Sequence, residues 1–127
     1  MTEILIAAGV AAVLGVILVA VLMIDRQNTR DARRISDIRQ IQAALEMHYN
    51  DENAYPIAIQ PGAPLVGETG GITYMNLVPT DPLGAAGYGY RYVAESPYST
   101  YVISFSLERG ISGFSKGVHR ATSAGIE

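Results

Sequence analysis

Hydrophobic and polar positions divide the chain into three stretches. The first is an uncharged apolar run from Ile4 to Ile24, the second is polar with regularly spaced apolar residues, and the third mixes loop residues with alternating patterns. At about 1.5 Å of helix rise per residue, the apolar run spans roughly 30 Å, the thickness of a bilayer's hydrocarbon core. Residues 1–24 are therefore predicted to form a transmembrane helix. A cleaved secretory signal is disfavoured because its apolar region would be shorter and would follow a basic stretch.

The second stretch, residues 25–50, is predicted to be an amphipathic helix. Its apolar stripe recurs at spacings of three and four and consists of Ile35, Ile38, Ile41 and Leu45. No proline or glycine lies between Val16 and Asn50, so both stretches are expected to form one rod of roughly 70 Å, from about residue 3 to 50. The Tyr-Pro pair at 55–56 favours a stop, since a residue before proline is pushed out of the helical region.

Residues 51–127 are predicted to form a head of loop and antiparallel sheet. Residues 57–87 are rich in proline and glycine and are expected to form a long surface loop, packed by Leu65, Ile72, Tyr74, Met75, Leu77 and Val78. Alternation in YGYRYVAE and TYVISFSLE predicts a β-hairpin, with a third strand near VHRATSAGIE. The fold class is therefore α+β: a long N-terminal helix, transmembrane then amphipathic, packed on a small antiparallel β-sheet.

Charge and composition narrow the function classes. Residues 1–50 hold five arginines and five carboxylates, and residues 51–127 hold four basic and seven acidic residues, so no nucleic-acid footprint is apparent. The chain has no cysteine, which excludes a disulfide framework and a thiolate metal site. His48 lies on the apolar stripe, where a histidine is more often a packing residue than a ligand, and neither it nor His119 belongs to a catalytic pattern. We expect no active site, no metal and no cofactor.

Four strings resemble those of type IV pilins and of the pseudopilins of type II secretion. EILIAAGVAAVLGVILVAVL is similar to the family's anchor with its leading glutamate, and ARRISDIRQIQAALEMHYNDENAYP is similar to the helix that ends in Tyr-Pro. YMNLVPTDPLG resembles the Val-Pro-x-Asp-Pro segment of the major-pseudopilin type, and YGYRYV with YVISFSLE resembles its hairpin. The segment after Asp81-Pro82 lacks the carboxylates of a pseudopilin calcium loop, which favours a pilus subunit.

The resemblance implies a structural role in a helical cell-surface filament that serves adhesion, motility or DNA uptake. It implies that the chain is processed by a prepilin peptidase, is held in the cytoplasmic membrane, and is extracted by the ATP-driven inner-membrane pilus assembly machinery into an extracellular homopolymer. It further implies that Glu3 meets the N-terminal amine of another subunit, at Met1, and that this pair sets the stagger. In the family the glutamate usually stands fifth in the processed chain, and here it is third.

Plainer interpretations of the same residues stay open. A carboxylate at the end of a membrane helix lies at the interface, where it needs no partner. Small residues let membrane helices approach closely, which fits dense packing in a filament, but a lone helix tolerates them too. These small residues are Gly9, Gly15, Ala8 and Ala12, beside Ala7 and Ala11.

The arginines after the anchor bear on orientation. By the positive-inside rule, Arg26, Arg30, Arg33 and Arg34 would hold the head in the cytoplasm, whereas the removed basic leader that the resemblance implies would reverse this bias. Their expected local role is that of a solvated helix face with ordinary contacts three and four residues apart. Asp25 and Arg26 are also candidates for a pair between subunits.

Two alternatives to a pilus subunit remain. One is a pseudopilin of a secretion or competence system. The other is a single-pass membrane protein with a small binding module.

Overall fold

A computed structural model describes residues 1–84, 87–111 and 113–127. One helix, α1, runs from Thr2 to Glu52 without a break. It ends where Asn53 adopts a left-handed conformation (φ 55°) and donates its backbone N–H to the Tyr49 carbonyl at 2.8 Å. Asparagine tolerates this conformation better than most residues, so it serves as the cap. The helix therefore extends two residues beyond the expected end at Asn50.

The first half of α1 stands free of the rest of the molecule. Residues 1–26 are all exposed, although residues 4–24 are apolar. By length and composition this segment is able to cross a membrane. Residues from Asp31 onward pack against the head.

Two antiparallel sheets form the head. A two-stranded sheet pairs β1 (Leu65–Val66) with β2 (Thr73–Met75). A four-stranded sheet contains β3 (Arg91–Glu95), β4 (Thr100–Ile111), β5 (Phe114–Thr122) and β6 (Gly125–Ile126), in that spatial order. The predicted hairpin is β3–β4, and the predicted third strand is β5, which is followed by the short strand β6. The α+β fold class is confirmed.

The core lies between α1 and β4. From the helix it receives Ile35, Ile38, Ile41, Ala44 and Leu45, and from β4 it receives Tyr101, Ile103, Phe105 and Leu107, all less than 7% exposed. Alternate β4 residues face the helix because successive side chains of a strand point to opposite faces. The Ile35–Leu45 stripe that the sequence assigns to helix–head packing thus lies on β4.

The strand β4 runs antiparallel to α1, which gives the head two defined ends. At the end nearer the apolar segment, Asp31 contacts Glu108; at the other end, Glu46 contacts Tyr101. We call these the proximal end and the distal end.

Two expectations about the loop need correction. Residues 57–87 contain the strands β1 and β2, in which Leu65 pairs with Met75. Strands of two and three residues are too short to leave a periodic pattern in the sequence. Ile72 and Leu77, which were expected to pack the loop, are 50% and 62% exposed. Two residues of this range, at positions 85 and 86, lie outside the described ones.

Candidate assembly site

The free half of α1 carries the residues that the sequence assigns to assembly. Glu3 lies in the first turn, where the positive end of the helix dipole favours a carboxylate. Met1 is fully exposed, and its carbonyl accepts the backbone N–H of Leu5. No ion pair among the described residues includes Glu3. Within one chain, the structure therefore leaves this carboxylate available to a neighbour.

The small residues of the anchor form an open surface. A Cβ atom built on Gly9 or Gly15 meets nothing within 4 Å. Ala8 and Ala12 are exposed on the same segment. The absence of bulk at these positions lets another helix approach the backbone closely.

A buried ion-pair cluster joins the helix to the head at the proximal end. We call it the proximal clamp; it consists of Arg30, Asp31, Arg34, Asp81 and Glu108. The Arg34 side chain is fully buried, and its guanidinium makes a two-pronged contact with Asp81, at 2.6 Å from Nε to Oδ2 and 3.1 Å from Nη2 to Oδ1. Its Nη1 donates to Asp31 and to Glu108, each at 2.8 Å. One arginine therefore ties together α1, β4 and the segment before β3.

Asp31 binds the backbone of β4 directly. Its carboxylate accepts the N–H groups of Glu108, Arg109 and Gly110 at 2.8 to 3.0 Å. These residues lie at an irregularity in the β4–β5 register, between Leu107 and Gly110, where the ladder leaves donors free. The carboxylate thus replaces strand partners that the irregularity removes.

Gly110 is required at this point by its backbone. It has a φ of 94°, and an added Cβ would lie 2.7 Å from the Ser115 carbonyl carbon and closer still to the Phe114 oxygen. Only glycine adopts this conformation with so little space.

Arg30 completes the clamp from the helix surface. Its Nε and Nη2 donate to the two oxygens of Glu108, both at 2.7 Å.

The Tyr88 ring covers Arg34, with 4.7 Å between the guanidinium carbon and the ring centroid. The two guanidinium groups face three carboxylates, so every buried charge in the clamp has an opposite partner.

The electrostatics of the clamp favour its charged forms. Burial would raise the pKa of Asp31, but three backbone donors and Arg34 hold that pKa below its usual range. Hydrogen bonding from Arg30 lowers the pKa of Glu108. Burial opposes the charge of Arg34, yet its carboxylate partners raise its pKa above the ordinary value. Such a cluster favours one packing of helix on sheet, because removing a member strands the others.

The clamp corrects the expectation that these arginines form a solvated helix face. Arg34 is buried and Arg30 is paired with Glu108, whereas Arg26 and Arg33 are exposed as expected. The sequence carries a signal that could have found Arg34, because Asp31 and Arg34 continue the helical stripe that holds Ile38. Charged residues at stripe positions indicate a buried pair.

The tyrosines of the YGYRYVAE segment contact the helix and the loop that follows it. Tyr88 and Tyr90 precede β3 rather than lying in it, and Tyr90 donates its hydroxyl proton to Asp37 at 2.9 Å. Burial raises the pKa of Asp37, against the effect of this hydrogen bond, and burial also raises the pKa of Tyr90. Tyr92 donates to the Pro56 carbonyl at 2.7 Å.

Tyrosines also hold the distal end. Tyr55 donates to Glu46 at 3.0 Å, and its ring meets Tyr101 edge-on at 4.6 Å. Burial, reinforced by Glu46, raises the pKa of Tyr55 to about 12. His48, two residues after Glu46 on α1, is also buried, with its Nδ1 2.8 Å from the Ala54 carbonyl and its ring against Tyr74.

Among the described residues, neither histidine belongs to a cluster of potential metal ligands. His119 is buried between Phe105 and Phe114, and its ring nitrogens contact backbone carbonyls. Within residues 1–84, 87–111 and 113–127, no group of three or more histidine, cysteine, aspartate or glutamate residues is arranged to hold a metal ion.

Comparisons of the chain with protein-family models, with curated proteins and with solved structures found no match. The architecture itself is pilin-like: one long N-terminal helix has a free apolar half, and its second half packs on an antiparallel sheet.

Proposed function

We propose that this chain is the structural subunit of a type IV pilus or a closely similar filament. Its anchor first holds the subunit in the cytoplasmic membrane and then packs against the anchors of other copies. The observation that supports this most is the free apolar half of α1, in which residues 1–26 are exposed along an unbroken helix. Apolar surface on this scale needs a cover, either lipid or like helices.

The rigid join between anchor and head favours a filament over a tethered binding module. A tethered binding module needs no rigid connection to its anchor, whereas here the clamp begins at Arg30, six residues after the apolar segment ends at Ile24. Force or rotation applied to the helix therefore passes directly to the head. A filament whose core consists of these helices requires this coupling, because each head must keep a fixed position on the outer surface.

Glu3 gives the assembly its proposed specificity. In a bundle of anchors that excludes water, an unpaired carboxylate is expensive, so it needs a cation. In this proposal the N-terminal amine of a neighbouring copy supplies one; the end of α1 that carries Met1 and Glu3 is exposed and therefore open to such a contact. Pairing at this point would fix the axial offset between copies.

The test is electron microscopy of material sheared from cells that produce the chain together with a pilus assembly machinery. Antibody against the head should label helical filaments along their length. Recovery of the chain only from the membrane fraction, with no labelled filament, would contradict the proposal and support a single-pass membrane protein. Short labelled filaments confined to the periplasm would instead identify a pseudopilin.

A further inference from the structure

A shallow groove at the distal end of the head combines apolar walls with a carboxylate. It measures about 370 Å³ and is lined by Met47, Asn50, Asp51, Ile72, Thr73 and Tyr74. Met47 and Ile72 are 48% and 50% exposed, so half of each side chain lacks cover. One oxygen of Asp51 accepts the Tyr74 hydroxyl at 3.1 Å.

This combination fits a long cationic side chain. The aliphatic stem of an arginine packs on apolar walls while its guanidinium reaches a carboxylate and stacks on an aromatic face. The molecule already contains such a contact, because Arg34 pairs with Asp81 beneath the Tyr88 ring.

The end of α1 also lacks the positive charge that its position favours. The last turn holds Asp51 and Glu52 and no basic residue, although the negative end of a helix dipole disfavours carboxylates. Glu52 accepts the Thr69 backbone N–H at 2.9 Å, whereas no ion pair among the described residues includes Asp51. A cation from outside the chain would relieve this unfavourable arrangement.

A matching cation lies on the same face of the helix. Arg33 precedes Asp51 by eighteen residues, which is five turns of helix and about 27 Å. Its side chain is 62% exposed, and its nearest carboxylate, Asp37, is 3.8 Å away and bonded to Tyr90. In parallel copies offset by about 27 Å, Arg33 of one copy comes level with Asp51 of another.

We infer that this distal groove binds Arg33 of a second copy of the chain, so that a repeating contact links the proximal part of one helix to the distal end of the next. The inference rests on the proposed filament, in which all helices point the same way. Such a contact is heterologous: each copy contributes Arg33 to one neighbour and its distal groove to another. The contact therefore repeats along the filament and does not close into a dimer. It would set the offset between heads independently of Glu3.

Chemical cross-linking tests the contact in assembled filaments. The natural chain has no cysteine, so Arg33→Cys and Asp51→Cys introduce the only thiols. A short bismaleimide suits the pair, since an arginine–carboxylate contact holds Cα atoms further apart than a disulfide allows. The two sites of one chain lie too far apart for that reagent, so every product joins different copies. We expect a ladder beyond the dimer from the double variant and at most dimers from either single variant.

The combination Arg26→Cys with Asp51→Cys is the matched control. Arg26 lies on nearly the same face but twenty-five residues from Asp51, which corresponds to an offset of about 37 Å. A ladder from this control equal to that from the Arg33 pair would overturn the inferred register.

Charge reversal provides a second readout. Arg33→Glu or Asp51→Arg should each lower the yield of sheared filaments about tenfold, and the combined exchange should restore it to within about threefold of the natural chain. Arg39→Glu, which changes an exposed arginine on another face, should leave the yield unchanged.

The outcomes separate this inference from the proposed function. Suppose that the natural chain forms filaments but the Arg33→Cys/Asp51→Cys variant gives no ladder, or that the Arg33→Glu/Asp51→Arg exchange fails to restore the yield. The inferred contact is then wrong, and the proposed filament function is unaffected. If the natural chain forms no filaments, the proposed function fails.

Discussion

Arg34 donates a hydrogen bond from Nε to Oδ2 of Asp81 at 2.6 Å, across 47 residues of sequence. The pair joins the helix to a segment that enters the main sheet, and both side chains are almost completely buried. Its consequences for stability are large, because each charge has been removed from water and depends on the other.

Replacing Arg34 with methionine should destabilise the head by about 3 to 5 kcal/mol, since the three carboxylates of Asp31, Asp81 and Glu108 then face one another without the cation that joins them. Urea unfolding of residues 25–127 would measure the change. The control is Arg33→Met at an exposed position, which should alter stability by less than about 0.5 kcal/mol. Equal effects of the two substitutions would show that the clamp has no special role.

Gly110→Ala should destabilise the head by about 3 kcal/mol or more, because the added methyl group is forced against the backbone of β5 at a positive φ. Gly113→Ala is the matched comparison. Gly113 has a similar φ of 89°, but nothing lies within 4 Å of its Cβ position, so only backbone strain of about 1 to 2 kcal/mol is expected. Thermal unfolding of both variants separates crowding from strain.

Residues 25–127 alone should form a soluble, folded monomer, because the α1 stripe that covers the sheet is kept. Ile38→Asp should then lower its stability by several kcal/mol, since Ile38 is fully buried and an unpaired carboxylate is costly there. Circular dichroism during heating would detect the loss. An unchanged melting temperature would contradict the packing of α1 on β4.

The stability of the same fragment should fall on acidification. The pKa values of Asp31 and Glu108 are lowered in the folded state, so their contribution is complete above the unfolded pKa near 4 and is lost as the pH falls through the folded values. Asp37 acts in the opposite direction, because its raised pKa makes protonation favour the folded state. Urea titrations between about pH 7 and pH 3 should therefore show a steeper loss in Asp37→Asn and a shallower loss in Asp31→Asn.

Glu3→Ala should prevent filament formation while leaving membrane insertion and the folded head intact, because neither depends on the charge. The lost pair would strand the amine of each neighbour at a penalty of about 3 to 5 kcal/mol per contact. Glu3→Gln should be impaired less, since it keeps hydrogen-bonding capacity. Counting filaments by electron microscopy would test whether Glu3 is needed for assembly. Filaments of normal number and length in the alanine variant would show that Glu3 has no role in assembly.

The elements with a long, regular pattern could be predicted from the sequence. The apolar run and the Ile35–Leu45 stripe predict α1 to within two residues of its end at Glu52. The alternation from Tyr101 to Leu107 predicts β4. Both patterns are local, because each reports burial along a single element.

The clamp could not be predicted in the same way. Asp31 and Arg34 are close in sequence, but Asp81 and Glu108 are brought to them only by tertiary packing. Asp31 binds the β4 backbone where the strand loses its regular register, near Gly110. A glycine within a strand suggests such an irregularity but does not show which side chain binds there. The strands β1 and β2 could not be predicted for another reason: two or three residues are too few to show a period.

Because α1 is uninterrupted, the number of residues in the anchor sets the orientation of the head relative to the anchor's tip. Each residue of α1 turns the chain by about 100° and advances it by about 1.5 Å. The clamp fixes the head to the helix at Arg30 and Asp31, so there is no joint that could absorb an inserted or deleted residue before that point. One extra residue between Glu3 and Arg30 would swing the whole head through more than a quarter turn relative to the carboxylate. The number of residues between Glu3 and Arg30 therefore sets the angle between the tip of the anchor and the face of the head, and substitutions that keep this number leave that angle unchanged.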